Sequence, residues 1–441
     1  MSETTGLSEC AAEASITFCA VNPHCLQRIA RLAQEMKVVA RCDLVDERGA
    51  TLCASGATIS RSVGLTLAQR RLRQPLEASV DLTQEIAPSE IVDDCRALMQ
   101  QSPALALLGA GRVAAIAHAL AGLPGGGALS LLLTIARQFN RASYQQSLAA
   151  MIVCARLAAA LDLAERDGDW LIVAALVKDV GESYLDPLLV DGRLPVSEWP
   201  QVAEHPAIGH AFLSVFTDFP PALADCVLQH HERLDGSGYP QALSAAQISP
   251  LATLVGVADC VAAVVLGGAS VATLEARSGW CLGERVAVAL TLVPGEFPPA
   301  AVAAVGAALA PLAEAGGSPV GGSFAQRILP TLQRIRTARL LAETLSTSAP
   351  TPGLAAIGGA ALAAIRGFDK RLRTIGVYDL ALLGVLESDP PRMGKTCLVV
   401  AEVGWRLRHL ARCVYLRTVQ RGEDTTPVAA LVAALGASDC A

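Results

Sequence analysis

Residues 230–240, HHERLDGSGYP, constrain this chain more than any other stretch. Two adjacent histidines and a glutamate lead into Asp-Gly-x-Gly and then Tyr-Pro. Imidazole is the commonest neutral metal ligand, and paired histidines beside carboxylates are a usual way to hold a divalent ion. Asp235-Gly236-Ser237-Gly238 is turn chemistry, because glycine tolerates positive φ and lets a ligand approach the backbone. Tyr239 precedes Pro240 and is therefore pushed out of the helical region into an extended exit. The stretch predicts a helix end carrying two ligands, running into a stiff, open loop able to roof a site. A plain surface turn explains the glycines and the proline but not the histidines. Four of the seven in the chain fall between His205 and His231.

The rest of the composition says what scaffold carries that loop. A chain of 441 residues is too long for one ordinary core, so two or three domains are expected. It is 52% apolar and 4% aromatic, with a heavy Ala/Leu/Val load that favours packed helices over sheet. The net charge of −6 has no long single-sign runs, which argues against DNA as a general partner. Thirteen cysteines, odd in number and without a Cys-x-x-Cys, read as buried thiols in a reducing compartment. With no secretory signal in MSETTGLSEC, a cytoplasmic location is expected. Residues 251–274 carry one charge, Asp259, and are interrupted by Gly256, Gly267 and Gly268. They predict a buried core helix with a functional aspartate, not a membrane span.

In chain order, residues 1–86 predict a small N-terminal module. It has a helix at 26–35, a β-hairpin turning through Asp46-Glu47-Arg48-Gly49, and a helix over 62–73 stopped by Pro75. Residues 87–139 predict a helical connector in three pieces, with His118 alone and structural in an Ala-rich helix. Residues 140–314 predict helices over 143–163, 170–180, 206–215, 221–232 and 251–266. Several end in polar groups: Lys178-Asp179, His205, His230 and His231, with Asp259 inside the last. Apolar helices that end this way aim those groups at a shared site, since a buried polar atom left unpaired is costly. Gly316–Gly322 predicts a linker, and 324–441 predicts four or five helices whose arginines and lysines form solvated faces. Met393-Gly394-Lys395-Thr396 lacks the first glycine of a phosphate-binding loop and is set aside.

With these residues in place, the middle of the chain resembles an HD-GYP domain, a helical phosphohydrolase of the HD superfamily associated with hydrolysis of the bacterial messenger cyclic di-GMP. The family signature HHExxDGxGYP is matched by His230, His231, Glu232, Asp235, Gly236, Gly238, Tyr239 and Pro240. EHPAIG matches its His-Pro-x-x-Gly at His205, VGVADCVAAV its Val-Ala-Asp helix at Asp259, and the segment from Leu292 its closing stretch. The resemblance implies a mainly α fold: the HD domain, an N-terminal β-containing module and a helical C-terminal region. It also implies metal ligands at Asp179, His205, His230, His231 and Asp259, and a ligand-binding loop at Asp235, Gly236, Gly238, Tyr239 and Pro240. As partners it implies cyclic di-GMP or a related nucleotide, a signalling protein such as a GGDEF-type cyclase, and a homo-oligomer.

The chain departs from the family where the chemistry is done. Lys178-Asp179-Val180-Gly181-Glu182 stands in place of His-Asp-x-Gly-Lys, and Gln146-Ser147 in place of His-Ser. Ala262 stands where many members carry a second aspartate. In the family, two or more ions share the bridging aspartate, here Asp179. One draws on the two histidines replaced at Gln146 and Lys178, the other on the three that remain. A lysine ammonium in a cation's place repels a divalent ion there and can pair with Asp179 or Asp259. Loss of the two-ion clamp, with Glu182 where a lysine would meet phosphate, predicts an impaired or absent phosphodiesterase. It leaves one divalent ion of the iron or manganese kind, or none. The expectation is a regulatory or ligand-binding module, and the alternative is an active phosphodiesterase with a reduced metal site.

Overall fold

The computed structural model describes residues 18–123, 125–190, 194–267, 282–312, 324–379 and 389–436. It is 69% helical, with two small two-stranded sheets, as the Ala/Leu/Val load requires. The linker expected at 316–322 and the end of the 251–274 run lie outside the described residues.

Helix α1 (Pro23–Glu35) opens the N-terminal module. Asn22 caps it by accepting from the backbone of His24 and Cys25 at 3.0 Å each. The hairpin turns where the sequence placed it. β2 (Leu44–Val45) pairs antiparallel with β3 (Thr51–Cys53), and Gly49 takes φ +91°. The front of the same run does not join it: β1 (Val38–Ala40) pairs antiparallel with β4 (Val80–Leu82) in a separate sheet. Helix α2 (Arg61–Leu67) stops short of the expected Arg73. Residues beyond it are drawn into extended pairing, with Leu72 donating to Cys19 at 2.8 Å and Arg73 to Val45 at 2.9 Å.

The connector is four helices, α3 (Pro88–Gln101), α4 (Pro103–Gly109), α5 (Val113–Ala121) and α6 (Gly127–Phe139). The extra break falls at Ser102-Pro103, where the Ser102 hydroxyl accepts from Leu105 as a cap. His118 is exposed and faces Glu165 and Asp169, at 3.3 and 3.6 Å. Then come α7 (Arg141–Ala160), α8 (Glu165–Val177), α9 (His205–Phe216), α10 (Pro221–Gln229), α11 (Pro250–Val265), α12 (Leu282–Thr291) and α13 (Pro299–Leu309). No single described helix is long and apolar enough to cross a membrane; α4 and α5 would suffice only together, and they are bent by 69°.

One contiguous apolar core runs from Phe18 to Leu309, through α1, the sheets, the connector and α7–α13. A second is built by α14 (Phe324–Ser348), α15 (Pro352–Thr374), α16 (Pro390–Gln420) and α17 (Thr426–Ala434), with Leu292 joining it. The solvated basic face expected of these helices fails at Arg406, which is 7% exposed. Its guanidinium meets Glu296 at 2.5 Å and Glu402 at 3.1 Å and donates to the Ala289 carbonyl at 2.9 Å. Buried charge is tolerated here because the guanidinium is met by two carboxylates and a carbonyl, although Glu296 Oε2 is left buried without a partner among the described residues. Lys395-Thr396 lies inside α16, with Lys395 paired to Glu284 at 3.1 Å.

Candidate functional site

The site forms where three helix ends meet the side of a fourth helix. Asp179 follows α8 at the start of a tight turn over Val180–Tyr184. His205 and Pro206 open α9, where a missing proline N–H costs nothing. His230 and His231 leave the end of α10, and Asp259 sits within α11. Helix α1 braces the Asp179 turn from behind, since buried Arg28 donates to the carbonyls of Ser183 and Leu185 at 2.9 and 2.8 Å.

Glycines set how closely these ends approach. A Cβ on Gly181 would lie 2.1 Å from the His205 carbonyl oxygen and 2.8 Å from the Gly209 nitrogen. One on Gly256 would lie 2.9 Å from the His230 carbonyl, and one on Gly238 would lie 2.4 Å from Glu232 Cα. These contacts are with backbone, so nothing small can yield. Gly181→Ala is expected to cost about 3 kcal/mol or more, read as a lower urea midpoint at unchanged slope.

Asp179, His205, His230 and His231 present donor atoms that all lie within 4.8 Å of one another. The Nε2 atoms of His205 and His230 stand 3.6 and 3.5 Å from Asp179 Oδ1. Their Nδ1 atoms lie 2.8 and 2.6 Å from the carbonyls of Val202 and Val227, which fixes the tautomer that offers Nε2 as a lone pair. Burial, above all, lowers the His205 pKa to about 4 and that of His231 well below the usual range, so both rings are neutral at pH 7. Three imidazoles and one carboxylate oxygen are a donor set that fits one divalent ion. Such an ion, when bound, would supply a water acidified toward neutral pH.

The other side of the site is filled by an amine. Lys178 is 1% exposed, and its Nζ contacts Asp179 Oδ2 and lies 2.7 Å from Asp259 Oδ1. Burial alone would lower its pKa, but the two carboxylates outweigh it and hold the ammonium charged. Burial likewise works against ionisation of Asp179 and Asp259, and Lys178 keeps both carboxylates below their ordinary range. Gln146 Nε2 donates to the same Asp259 oxygen at 2.9 Å. Asp259 thus stands outside the four-donor cluster, its Oδ1 taken and its Oδ2 3.7 Å from His231 Nδ1. Glu182 accepts from Asn140 at 2.8 Å. Burial first, then the charge of Asp179, pushes its pKa up to about 7, so it is only partly charged at neutral pH.

The Gly-Tyr-Pro loop is covered, contrary to the open loop expected from its sequence. Tyr239 is buried, stacked on His231 with ring centroids 4.5 Å apart and edge-on to Trp199 at 5.6 Å. Glu232 anchors the far side by accepting from the backbone of Gln241 and Leu243 at 2.6 and 3.0 Å. Helix α16 lies across the top. Arg417 donates to the Gly236 carbonyl at 2.6 Å, and Gln420 donates to that of Pro240 at 3.0 Å. Sequence reasoning missed Trp199, Arg417 and Gln420, which match no local motif and reach the loop only through packing.

The HD-domain family profile matches residues 131–274. A cyclic di-GMP phosphodiesterase of Pseudomonas aeruginosa is 31% identical over 146 residues, 33% of this chain and 34% of that protein. A cyclic di-GMP phosphodiesterase response regulator of Xanthomonas campestris pv. campestris is 36% identical over 110 residues, 24% of this chain and 29% of its own. A 3'3'-cGAMP-specific phosphodiesterase of Vibrio cholerae is 33% identical over 105 residues, 23% of each chain. This chain therefore spans at most about a third of those relatives' lengths. A solved HDG"Y"P protein from Bdellovibrio bacteriovorus aligns with 51% of this chain and 70% of its own at 16% identity and a TM-score of 0.33. The matched span, the histidine cluster and the full HHExxDGxGYP loop together make the middle of this chain an HD-GYP domain.

Proposed function

We propose that the protein is a receptor of cyclic di-GMP signalling that binds cyclic di-GMP or a related cyclic dinucleotide without hydrolysing it at an enzymic rate. The observation that carries this reading is Lys178, whose buried amine joins Asp179 to Asp259. A second divalent ion would have to displace a charge of its own sign from both carboxylates. Without two ions, the clamp on attacking and leaving oxygens is lost. The buried, braced Tyr239 loop supports retention of a binding surface. Its output would then pass to a protein partner, such as a GGDEF-type cyclase. The expected result with purified protein, manganese or ferrous iron and cyclic di-GMP is saturable heat of binding and no linear dinucleotide or GMP by chromatography. Turnover of about one per second or faster would overturn the reading.

A second reading is supported by the four-donor cluster itself: a phosphohydrolase using one ion at Asp179, His205, His230 and His231. It requires about one metal per chain and complete loss of turnover in His231→Ala, because the ion would generate the nucleophile. Protein shown to carry one metal per chain that still gives no turnover would remove it.

A further inference from the structure

A cavity of about 620 Å³ opens between α15, α16, the closing segment at Leu292–Glu296 and the outer side of the Asp235–Ser237 turn. It is separate from the histidine cluster and shares with the site above that turn and Arg417, which donates to it. Small residues on α15 create it: Ala360, Ala361, Ala364 and Gly367 face Leu410 and Val414 of α16. A Cβ placed on Gly367 meets nothing within 4 Å. The volume is in the range that takes a small molecule, and the walls are largely apolar.

The polar groups around it are mainly basic. Lys370, Arg371, Arg406 and Arg417 line it against Asp235 and Glu296. Glu296 is met by Arg406 and by Arg233 through Oε1, at 2.5 and 3.4 Å, which commits Arg406; its Oε2 is buried with no hydrogen-bond partner among the described residues, but as an acceptor it offers an anion nothing. Asp235 is turned into its own loop, accepting from Ser237 at 2.6 Å. Arg371 differs. Its Nε is buried and has no hydrogen-bond partner among the described residues. A guanidinium stays charged at any physiological pH, and a buried unpaired donor on it costs free energy unless an acceptor arrives. Nε and its neighbouring Nη form a fork that matches the two oxygens of a carboxylate.

We propose that this cleft binds an acyl carboxylate of medium chain length, its chain along the alanine wall of α15 and its head on Arg371, with Lys370 adding charge. The site lies one hydrogen bond from the Gly-Tyr-Pro loop, because Arg417 of the same wall donates to Gly236. The assignment does not depend on whether the histidine cluster binds or hydrolyses a nucleotide.

Isothermal titration of the full chain with decanoate, beside decanol, tests it. Decanoate is expected to bind saturably at one per chain. Arg371→Gln should weaken it about tenfold or more, the size of one lost charge-assisted hydrogen bond, while leaving decanol unchanged. Gly367→Trp, whose side chain projects into open space, should abolish decanoate binding with a melting temperature equal to or above wild type. Absence of saturable decanoate binding to wild type would overturn the assignment. So would decanoate binding that survives Gly367→Trp, or an Arg371→Gln effect equal for acid and alcohol.

Discussion

Methionine in place of Lys178 is expected to destabilise the protein by about 3–5 kcal/mol at pH 7, the cost of breaking a buried pair by removing one partner. Asp179 and Asp259 would face each other with their shared cation gone. The pH profile of the loss follows from the direction of each shift. Lys178 is raised above its ordinary 10.5, so its contribution is full below that value and is lost as pH rises through the folded pKa. Asp179 and Asp259 are lowered below their ordinary 3.8, so theirs is full above that value and is lost as pH falls through the folded pKa. The gap between wild type and Lys178→Met is therefore widest between about pH 5 and 9 and closes in acid. Urea unfolding at pH 7 and pH 2 reads it directly. Manganese at a hundredfold over its dissociation constant should return about 2.7 kcal/mol to the mutant, because a divalent ion can take the place of the amine. An equal loss at both pH values, with no recovery by metal, would mean that the amine is mere packing.

The second large effect is a gain. Lys178→His combined with Gln146→His is expected to raise manganese- or iron-dependent hydrolysis of cyclic di-GMP at least about a hundredfold over wild type, equivalent to about 2.7 kcal/mol of barrier. Position 146 already faces the site, with its amide 2.9 Å from Asp259. Histidine there and at 178 would give Asp179 and Asp259 two neutral donors in place of one amide and one ammonium. Metal content should rise from at most one to about two per chain. Two metals without turnover would place the remaining defect at Glu182, which Glu182→Lys would then relieve.

The histidine site was legible because its parts are short and rigid. A turn that needs glycine at fixed places, and histidines at helix ends, leave a record in local sequence. The structure brings Asp179, His205, His230 and His231 to one point and puts the polar end of Lys178 among the carboxylates. What was illegible depends on distant partners. Arg71–Arg73 carries a helix-compatible pattern, yet its backbone bonds go to residues 19 and 45–47. Arg406 looks like any solvated arginine until Glu296, 110 residues away, is folded beneath it. Tyr239 reads as an exposed loop tip until Trp199 and α16 close over it, and no spacing rule reports such closure.

The continuity of the first core has a practical consequence for anyone who wishes to isolate the histidine region. A fragment cloned from residue 131 would strip α1 from the Asp179 turn, taking away the Arg28 bonds to Ser183 and Leu185. It would also bare the faces that Phe18 and Leu32 now shield, and such a fragment is expected to precipitate on expression. The smallest soluble unit should begin before Phe18, so the amino-terminal module acts as a brace for the Asp179 turn and not as a detachable sensor.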